Sequence, residues 1–478
     1  MAGDFQFISI DDTRQNKAAR RQARSHAVKK ALEKKRKRQQ LSGNNFTITT
    51  LSHLYTDDYT SGSEASLSLQ MPCRILGSTL DPFQVLAVDS SRLQVLLGDH
   101  RARQAPEPVF SLADALAFQS FHSVFRSGFD DPALANAVML ALAFAVNGNG
   151  KATKSNCALG LDRECLRYQG QAITYIRERM DSVDSAASEA TIGAILLVVG
   201  VVACLGLKNQ VELHMGAVQQ LLNICRERSV YLTPGIKRAI FWQDLNASIL
   251  SGSTRIVTHT TFSELLWIRD PFVPNFYRLP PGLRTLNSTA EFREILEDLH
   301  ALKCIRDIPK PPEMRANVLL MLSVNNHTGS LQSRLVNLGL TSKLSPLQEC
   351  VRLAAYLCSV MLCCKVWCGL VVPAHISTQL LTQLQTLREQ DTLTLTGAEE
   401  PNPDLITWLF YIGGAFAPPG PVRSGYLHMI QMSSSTADHC SWAELHKVMK
   451  QFIWADEAFS RPVRAFWMDL SGRNSKAV

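Results

Sequence analysis

The chain has 478 residues, of which 46% are hydrophobic, 19% charged and 8% aromatic. This composition supplies enough apolar side chains for a large buried core, which excludes a disordered or fibrous protein as the main interpretation. The formal net charge is +7, but the charge is distributed unevenly. Residues 14–38 hold 12 of the 49 basic residues, while residues 39–478 keep 37 basic and 38 acidic residues, a net charge of −1.

The cationic segment at residues 14–38 is predicted to meet a polyanion. It is rich in strong helix formers and has an alanine every four residues, at Ala19, Ala23, Ala27 and Ala31. We expect a fluctuating helix that becomes ordered on the phosphate backbone of DNA, with an affinity that falls steeply as salt rises. The residues predicted to contact DNA are Arg20, Arg21, Arg24, His26, Lys29 and Lys30.

The same segment contains a cluster typical of a nuclear localisation signal. Its five consecutive cations are Lys34, Lys35, Arg36, Lys37 and Arg38. One interpretation is nuclear import alone, a second is import together with DNA contact, and a third is a role at a membrane surface or on RNA. We predict a nuclear protein with an import receptor among its partners.

Two known DNA-binding motifs do not fit the chain. A leucine-zipper basic region would need one more residue between Asn16 and its alanine pair, and Gln39 stands seven residues after Leu32 where the next leucine would lie. A fungal binuclear zinc cluster needs six closely spaced cysteines, but the first two here are Cys73 and Cys157. Neither a zipper nor a zinc cluster is therefore predicted.

The rest of the chain divides by composition. The start, MAGDFQFISIDD, is acidic and lacks the pattern of a secretory signal, so the 12 cysteines are expected to be reduced. Residues 41–79 are rich in serine and threonine without a sustained hydrophobic period, which predicts a flexible linker. The predicted divisions are a basic arm at 1–40, this linker at 41–79, a helical regulatory domain at 80–470 and a tail at 471–478.

Within the predicted domain, apolar residues recur every three or four positions, a period typical of helices. Strand-like alternation is scarce. The predicted fold is all-α: a large multi-helix domain preceded by a basic, partly disordered N-terminal arm. The helices predicted in chain order are Ser111–Phe125, Pro132–Val146, Arg163–Arg179, Glu189–Leu207, Val211–Glu227, Gly235–Leu250, Ala290–Leu302, Glu313–Ser323, Pro346–Val371, Thr378–Gln390, Pro403–Ala417, Val422–Met432, Ser441–Trp454 and Phe459–Met468.

Three of these starts carry capping residues. Ser111 precedes its helix, Asp131 precedes Pro132, and Ser441 has Glu444 three residues on, as in a capping box. Residues 268–289 contain four prolines and are predicted to form a long connector.

The longest apolar run is Ile192–Leu207, with 16 residues and no charge. A membrane-spanning helix needs roughly 20 such residues. We therefore predict a helix buried on all sides in the protein core, and no membrane partner.

No catalytic residue, cofactor site or metal site is predicted, and the protein is not expected to be an enzyme. The GNGKA sequence at Gly148–Ala152 lacks the earlier glycine and the hydroxyl residue of a phosphate-binding loop. His214 is interpreted as a structural histidine of an amphipathic helix.

Four cysteines crowd one apolar stretch, which favours a core helix over a zinc site. They are Cys358, Cys363, Cys364 and Cys368.

Several stretches of the domain resemble the fungal-specific transcription factor domain, a family that includes Zn2Cys6 regulators. The opening also resembles family members without the zinc cluster, through its aromatic lead and its Arg-Ser-His basic segment, so the likeness spans most of residues 5–470. The stretches that carry it are LDPFQVLAV at Leu80–Val88, Thr191–Leu207, LHMGAVQQLLNIC at Leu213–Cys225, FWQDL at Phe241–Leu245, LQECVRLAAYLC at Leu347–Cys358, WLFYIGGAFAPPGPVR at Trp408–Arg423 and the last helix at Phe452–Trp454.

This resemblance implies a nuclear regulator of transcription, often of specialised-metabolite or stress genes, with a helical regulatory body and other transcription proteins as partners. Because the zinc cluster is missing, no zinc ligand carries over and direct DNA binding stays open. A co-regulator that reaches DNA only through a partner is the first alternative, and an all-helical enzyme is the second. Five positions match the family and are expected to be structural: Trp242, Asp244, Gly413, Gly414 and Arg423.

Overall fold

The computed structural model describes residues 86–102, 131–151, 161–308, 318–363, 371–393, 402–432 and 441–474. Within these ranges the chain forms α-helices and three short 3-10 helices, with no strand, which confirms the all-α prediction. The predicted arm at 1–40, linker at 41–79 and helix at Ser111–Phe125 lie outside them. The helices are α1 Ser90–Ala102, α2 Pro132–Lys151, α3 Arg163–Met180, α4 Val183–Ala186, α5 Glu189–Cys204, α6 Lys208–Glu227, α7 Pro234–Ser251, α8 Ala290–Asp307, α9 Val318–Thr341, α10 Pro346–Cys363, α11 Val371–Leu393, α12 Pro403–Phe416, α13 Pro421–Gln431, α14 Trp442–Met449 and α15 Asp456–Asn474.

Side-chain caps begin several of these helices, because the first backbone N–H groups of a helix have no partner inside it. The Asp131 carboxylate accepts from the Leu134 N–H at 3.0 Å. Ser441 and Glu444 form the predicted reciprocal capping box at the start of α14. Both cap predictions are confirmed, whereas Ser111 lies outside the described residues.

The N-terminal part of the core is built around α5. This helix packs on α2, α3, α6 and α7, and residues all round its circumference are buried. The prediction of a buried apolar helix is therefore confirmed, although it ends at Cys204 rather than Leu207. Among the residues that the structure describes, no helix has the length and apolar character needed to cross a membrane.

The C-terminal part of the core is built around α10 and α12. Helix α10 packs on α8, α9, α11 and α12, and every residue from Cys350 to Ser359 is buried. Helix α12 packs in turn on α11, α13, α14 and α15. The two parts of the core are joined because α7 contacts both α9 and α11.

Helix α9 differs most from its prediction. The predicted helix was Glu313–Ser323, but α9 continues to Thr341 through residues of low helix propensity, including Asn325, Asn326 and Gly329. Tertiary packing compensates, because Leu331, Leu335 and Leu338 on one face are completely buried.

The structure differs from the sequence predictions at two further places, one before α2 and one after α14. Helix α1 was not predicted, and it buries Leu93 and Leu96. The predicted helix Ser441–Trp454 is wrong beyond Met449, because Phe452–Trp454 lies in the turn between α14 and α15. These three residues are apolar because the turn itself is buried, and not because a helix continues there.

Candidate functional site

The cations predicted to contact DNA and import receptors all fall within residues 20–38, outside the described residues. The DNA contacts at Arg20, Arg21, Arg24, His26, Lys29 and Lys30 therefore stay predictions, as does the import cluster Lys34–Arg38. The structure does describe the body residues that the sequence analysis singled out. It also describes one cleft that no feature of the sequence indicates.

The cysteine-rich stretch is a core helix as far as the structure describes it. Cys358 is fully buried in α10, and the Sγ of Cys363 lies 3.0 Å from the Thr328 Oγ1. Burial raises the pKa of the Cys363 thiol to about 11. Cys364 and Cys368 lie outside the described residues. Within the ranges described, no three His, Cys, Asp or Glu residues are placed to hold a metal.

Two other sequence features are parts of helices. Helix α2 runs through Gly148 to Lys151, so this stretch ends a helix, whereas a phosphate-binding loop precedes one. His214 lies partly buried on α6, and burial lowers the pKa of its imidazole.

Trp242 and Asp244 have structural roles in α7. Trp242 is buried and contacts the Phe241 ring edge-on, as expected of a packing tryptophan. Asp244 pairs with the chain that follows α7. It accepts from the Arg255 Nε at 3.2 Å and from the Ile256 N–H at 3.0 Å.

Gly413 and Gly414 let α12 approach its neighbours closely. A β-carbon at Gly413 would overlap the Tyr426 hydroxyl of α13, and one at Gly414 would overlap the Phe466 ring of α15. Arg423 adds a hydrogen bond between these helices, because it donates to the Gly414 carbonyl at 3.0 Å. The predicted structural role of all three residues agrees with this geometry.

A charged cluster around the buried Asp298 carboxylate, not predicted from the sequence, holds the connector between α7 and α8 in place. The Arg269 Nε of the connector lies 2.7 Å from the Oδ1 of Asp298 on α8. Arg334 of α9 pairs with the same carboxylate. Beside it, Trp267 stacks on the His327 ring with centroids 3.9 Å apart. The predicted connector is thus a fixed part of the core surface.

A cleft of about 360 Å³ lies where the C-terminal half of α8 faces the turn between α14 and α15. This volume is within the range of small-molecule sites, roughly 300–1,000 Å³. Its buried part is apolar and its exposed part carries charge from both sides. The lining residues are Pro280, Pro281, His300, Lys303, Asp307, Lys450, Phe452, Trp454 and Asp456.

Asp456 is the most heavily bonded group of the cleft. It accepts from the Trp454 Nε1 at 2.7 Å and the His446 Nε2 at 2.5 Å, and its Oδ2 lies 3.2 Å from the Lys450 Nζ. Burial opposes ionisation, but these hydrogen bonds outweigh it and lower the pKa of Asp456 to about 2. The Trp454 and His446 donors share the Oδ1 of Asp456, whereas Lys450 lies beside its Oδ2.

The opposite side of the cleft offers an acid and a neutral imidazole. Asp307 pairs with Lys303 at 2.9 Å across one helical turn. The His300 Nδ1 lies 2.9 Å from the Phe276 carbonyl oxygen, which can only accept, so the ring donates through Nδ1. Burial lowers the pKa of His300, and a neutral ring of this tautomer keeps a lone pair on Nε2.

No local pattern in the sequence indicates this cleft. Lys303 and Asp307 resemble an ordinary solvent-exposed pair on a helix, and Phe452 and Trp454 resemble core residues. The two groups are about 150 positions apart along the chain, so only the tertiary structure brings them together.

Comparison of the chain with protein-family models, with curated proteins and with solved structures finds no match.

Proposed function

We propose that the protein is a nuclear regulator of transcription. In this proposal the basic arm brings the protein into the nucleus and contacts DNA, and the helical body responds to partners or small molecules without catalysing a reaction. The observation that carries the proposal is the separation of charge, since the net cationic excess lies in residues 14–38 while residues 39–478 carry −1. A dense run of cations next to a near-neutral body favours contact with a polyanion through one end.

In this proposal the body has a regulatory role and does not itself supply a cationic surface for DNA. Its buried charges are used internally, as in the pairs of Asp244 with Arg255 and of Asp298 with Arg334. Among the described positions that resemble the fungal-specific transcription factor domain, Trp242, Gly413 and Gly414 pack the core. The resemblance supports specialised-metabolite or stress genes as the targets.

The test of DNA contact is a salt titration of duplex binding by the full-length protein. One variant replaces Arg20, Arg21 and Arg24 by glutamine, and a matched control replaces three exposed body arginines, Arg163, Arg177 and Arg461. Each lost phosphate contact reduces the slope of log K against log salt by about 0.9. We expect a clearly shallower slope for the arm variant alone, and no change for the control.

The contrary result separates the two rival roles. If the wild-type protein and the arm variant bind duplex DNA equally weakly at all salt concentrations, direct DNA contact is wrong. The protein would then be a co-regulator that reaches DNA through another protein.

A second comparison separates import from DNA contact. Chromatin occupancy is measured for a variant with Lys34–Arg38 replaced by glutamine and for the Arg20, Arg21 and Arg24 variant, each carrying an added import signal. We expect the added signal to restore occupancy of the Lys34–Arg38 variant only. Full occupancy of both variants would assign all these cations to import.

A further inference from the structure

The chain between α7 and α8 contains a segment, residues 266–270, whose residues alternate between exposed and partly buried. Leu266 and Ile268 are 48% and 83% exposed, and Asp270 is exposed as well. The two residues between them are partly buried against the body. This period of two, together with the extended backbone of Leu266 at φ −60° and ψ 136°, is the geometry of a β-strand with one face on the protein and the other on solvent.

The two inward side chains hold this segment in place. Trp267 stacks on His327 of α9, and the Arg269 Nε lies 2.7 Å from the Asp298 Oδ1 of α8. The Arg269 guanidinium also lies over the Tyr277 ring, 5.1 Å from its centroid. A segment fixed at two successive inward positions presents its backbone in one arrangement, so a partner does not have to order it on binding.

The two ends of the segment are hydrogen-bonded to the body. The Leu266 carbonyl accepts from the Asn326 Nδ2 at 3.1 Å, and the Asp270 N–H donates to the Tyr277 hydroxyl at 2.9 Å. In an extended chain, the N–H and C=O of one residue point to one edge, and those of its neighbours point to the other edge. Leu266 and Asp270 are four residues apart, so their bonds to the body use the same edge.

The opposite edge of the segment is unused. Among the described residues, the backbone N–H and C=O groups of Trp267, Ile268 and Arg269 make no hydrogen bond. By the alternation of an extended chain, the groups of Trp267 and Arg269 lie on the edge that does not bond to the body. A row of unpaired backbone groups beside exposed apolar side chains is a template for pairing with another extended chain.

The outward side of this region is apolar. Phe272 is 91% exposed, and its N–H donates to the Asp270 Oδ1 at 2.9 Å, which ends the extended segment in a turn. At roughly 200 Å² for a residue of this size, Leu266, Ile268 and Phe272 together expose about 450 Å². Even if two copies covered all of this surface, the contact would bury about 900 Å², less than the roughly 1,200 Å² of stable complexes. A reversible association is therefore expected.

We propose that two copies of the protein associate by antiparallel pairing of residues 266–270 about a two-fold axis at Ile268. Trp267 and Arg269 of one copy exchange backbone hydrogen bonds with Arg269 and Trp267 of the second copy, and the two Ile268 side chains lie side by side. Leu266 lies opposite Asp270 of the second copy, so no like charges face each other.

A second copy is the favoured occupant because it brings an identical edge that is already fixed. A free peptide would lose conformational freedom on pairing, which costs about 1–2 kcal/mol for each residue. The high exposure of Ile268 and Phe272 indicates that the segment stands at the periphery of the body, where two bodies can lie side by side. Pairing does not involve the basic arm, so it is measured on the purified full-length protein without DNA.

The first experiment is sedimentation equilibrium, which should show a reversible dimer with a Kd of about 10–100 μM. Ile268→Glu removes the apolar pair at the two-fold axis and places two like charges opposite each other. It should raise the dimer Kd by about tenfold or more. The matched control is Leu213→Glu, which makes the same charge change at a residue of α6 that is 71% exposed, and its Kd should equal that of the wild type.

The second experiment tests the register by disulfide cross-linking. Directly opposite residues of a pair without mutual hydrogen bonds have Cα atoms about 4.5 Å apart, which is within the roughly 4.4–6.8 Å that a disulfide spans. Under mild oxidation, Ile268→Cys should therefore form a covalent dimer much faster than Leu213→Cys, although both positions are exposed. The wild-type protein sets the background from the native cysteines.

Three results would overturn the inference. They are a wild-type protein that stays monomeric at about tenfold above the expected Kd, a dimer that Ile268→Glu does not weaken, and cross-linking of Ile268→Cys no faster than that of Leu213→Cys. The wild-type measurement holds even if a variant fails to fold. Because the dimer is measured without DNA and duplex binding is tested with arm variants, the failure of one proposal leaves the other standing.

Discussion

Asp244 is a carboxylate on α7 with 1% exposure, and its charge is balanced entirely from within the protein. Arg255 supplies the opposing charge, and its side chain is itself only 5% exposed. Arg255 also donates to the Ser333 Oγ of α9 at 2.6 Å. This pair therefore connects α7, the chain that follows it, and α9.

Replacing Asp244 by alanine should destabilise the protein by about 3–5 kcal/mol, because the buried Arg255 is left without a compensating charge. The measurement is the free energy of unfolding from urea denaturation. The matched control is Asp469→Ala, which removes the half-exposed partner of Arg423 and should cost about 1 kcal/mol or less. Equal losses in the two variants would show that the Asp244 pair contributes no more than a surface ion pair.

At the scale of elements, α12 can pack closely on α13 and α15 because Gly413 and Gly414 have no side chains. Tyr426 and Phe466 occupy the space that β-carbons at Gly413 and Gly414 would need. Both rings are fully buried, and the Tyr426 hydroxyl donates to the Ser377 carbonyl at 2.6 Å. Neither ring can move without disturbing other contacts of the core.

Gly414→Ala should therefore destabilise the protein by about 1–3 kcal/mol or more through overpacking. Thermal unfolding monitored by circular dichroism measures the change. Gly216→Ala is the matched control, since Gly216 lies within α6 and a β-carbon there meets nothing within 4 Å. It should stabilise the protein by roughly 0.5–1 kcal/mol. A neutral Gly414→Ala variant would contradict the close-approach explanation.

At the scale of the whole molecule, the buried His327 and the half-buried His259 make the stability depend on pH. Burial lowers the pKa of His327 to about 3 and that of His259 to about 4. Arg269 and Arg334 oppose protonation of His327, while the Asp298 backbone carbonyl favours it. In the unfolded chain both histidines have a pKa of about 6.5.

The unfolded state therefore takes up protons first as the pH falls. The contribution of these neutral histidines to stability is complete above about pH 7 and decreases as the pH falls from about 6.5 towards their folded values. For His327 alone, the loss between about pH 7.5 and pH 5 is roughly 2 kcal/mol.

The variant that tests this is His327→Phe. Phenylalanine can stack on Trp267 and cannot take up a proton. The free energy of unfolding is measured with urea at about pH 7.5 and pH 5. Between these values it should fall by about 2 kcal/mol less for the variant than for the wild type. The exposed His428→Gln serves as a control. An unchanged pH dependence in His327→Phe would contradict the prediction.

Much of the helical architecture could be predicted because it follows from local chemistry. The 3.6-residue period located most helices, and the oxygens of Asp131 and Ser441 marked where two begin. The prediction failed where packing outweighs propensity. Helix α9 continues through Asn325, Asn326 and Gly329, and the turn at Phe452–Trp454 is as apolar as a helix core.

The candidate cleft could not be predicted for a related reason. Its charges, Lys303 with Asp307 and Lys450 with Asp456, resemble ordinary surface pairs when each is seen along the chain. Their significance comes from facing each other across an apolar surface, and this depends on how α8 packs against the turn after α14.

The amino-acid sequence by itself determined the all-helical class of the body, the burial of α5 and the concentration of positive charge in residues 14–38. Periodicity, apolar content and net charge are properties of neighbouring residues, so they can be counted along the chain. Only the tertiary structure decided which buried charges pair, which glycines allow helices to touch, and where a cleft remains open. Those outcomes depend on distances between residues far apart in sequence, which the packing of the whole core sets.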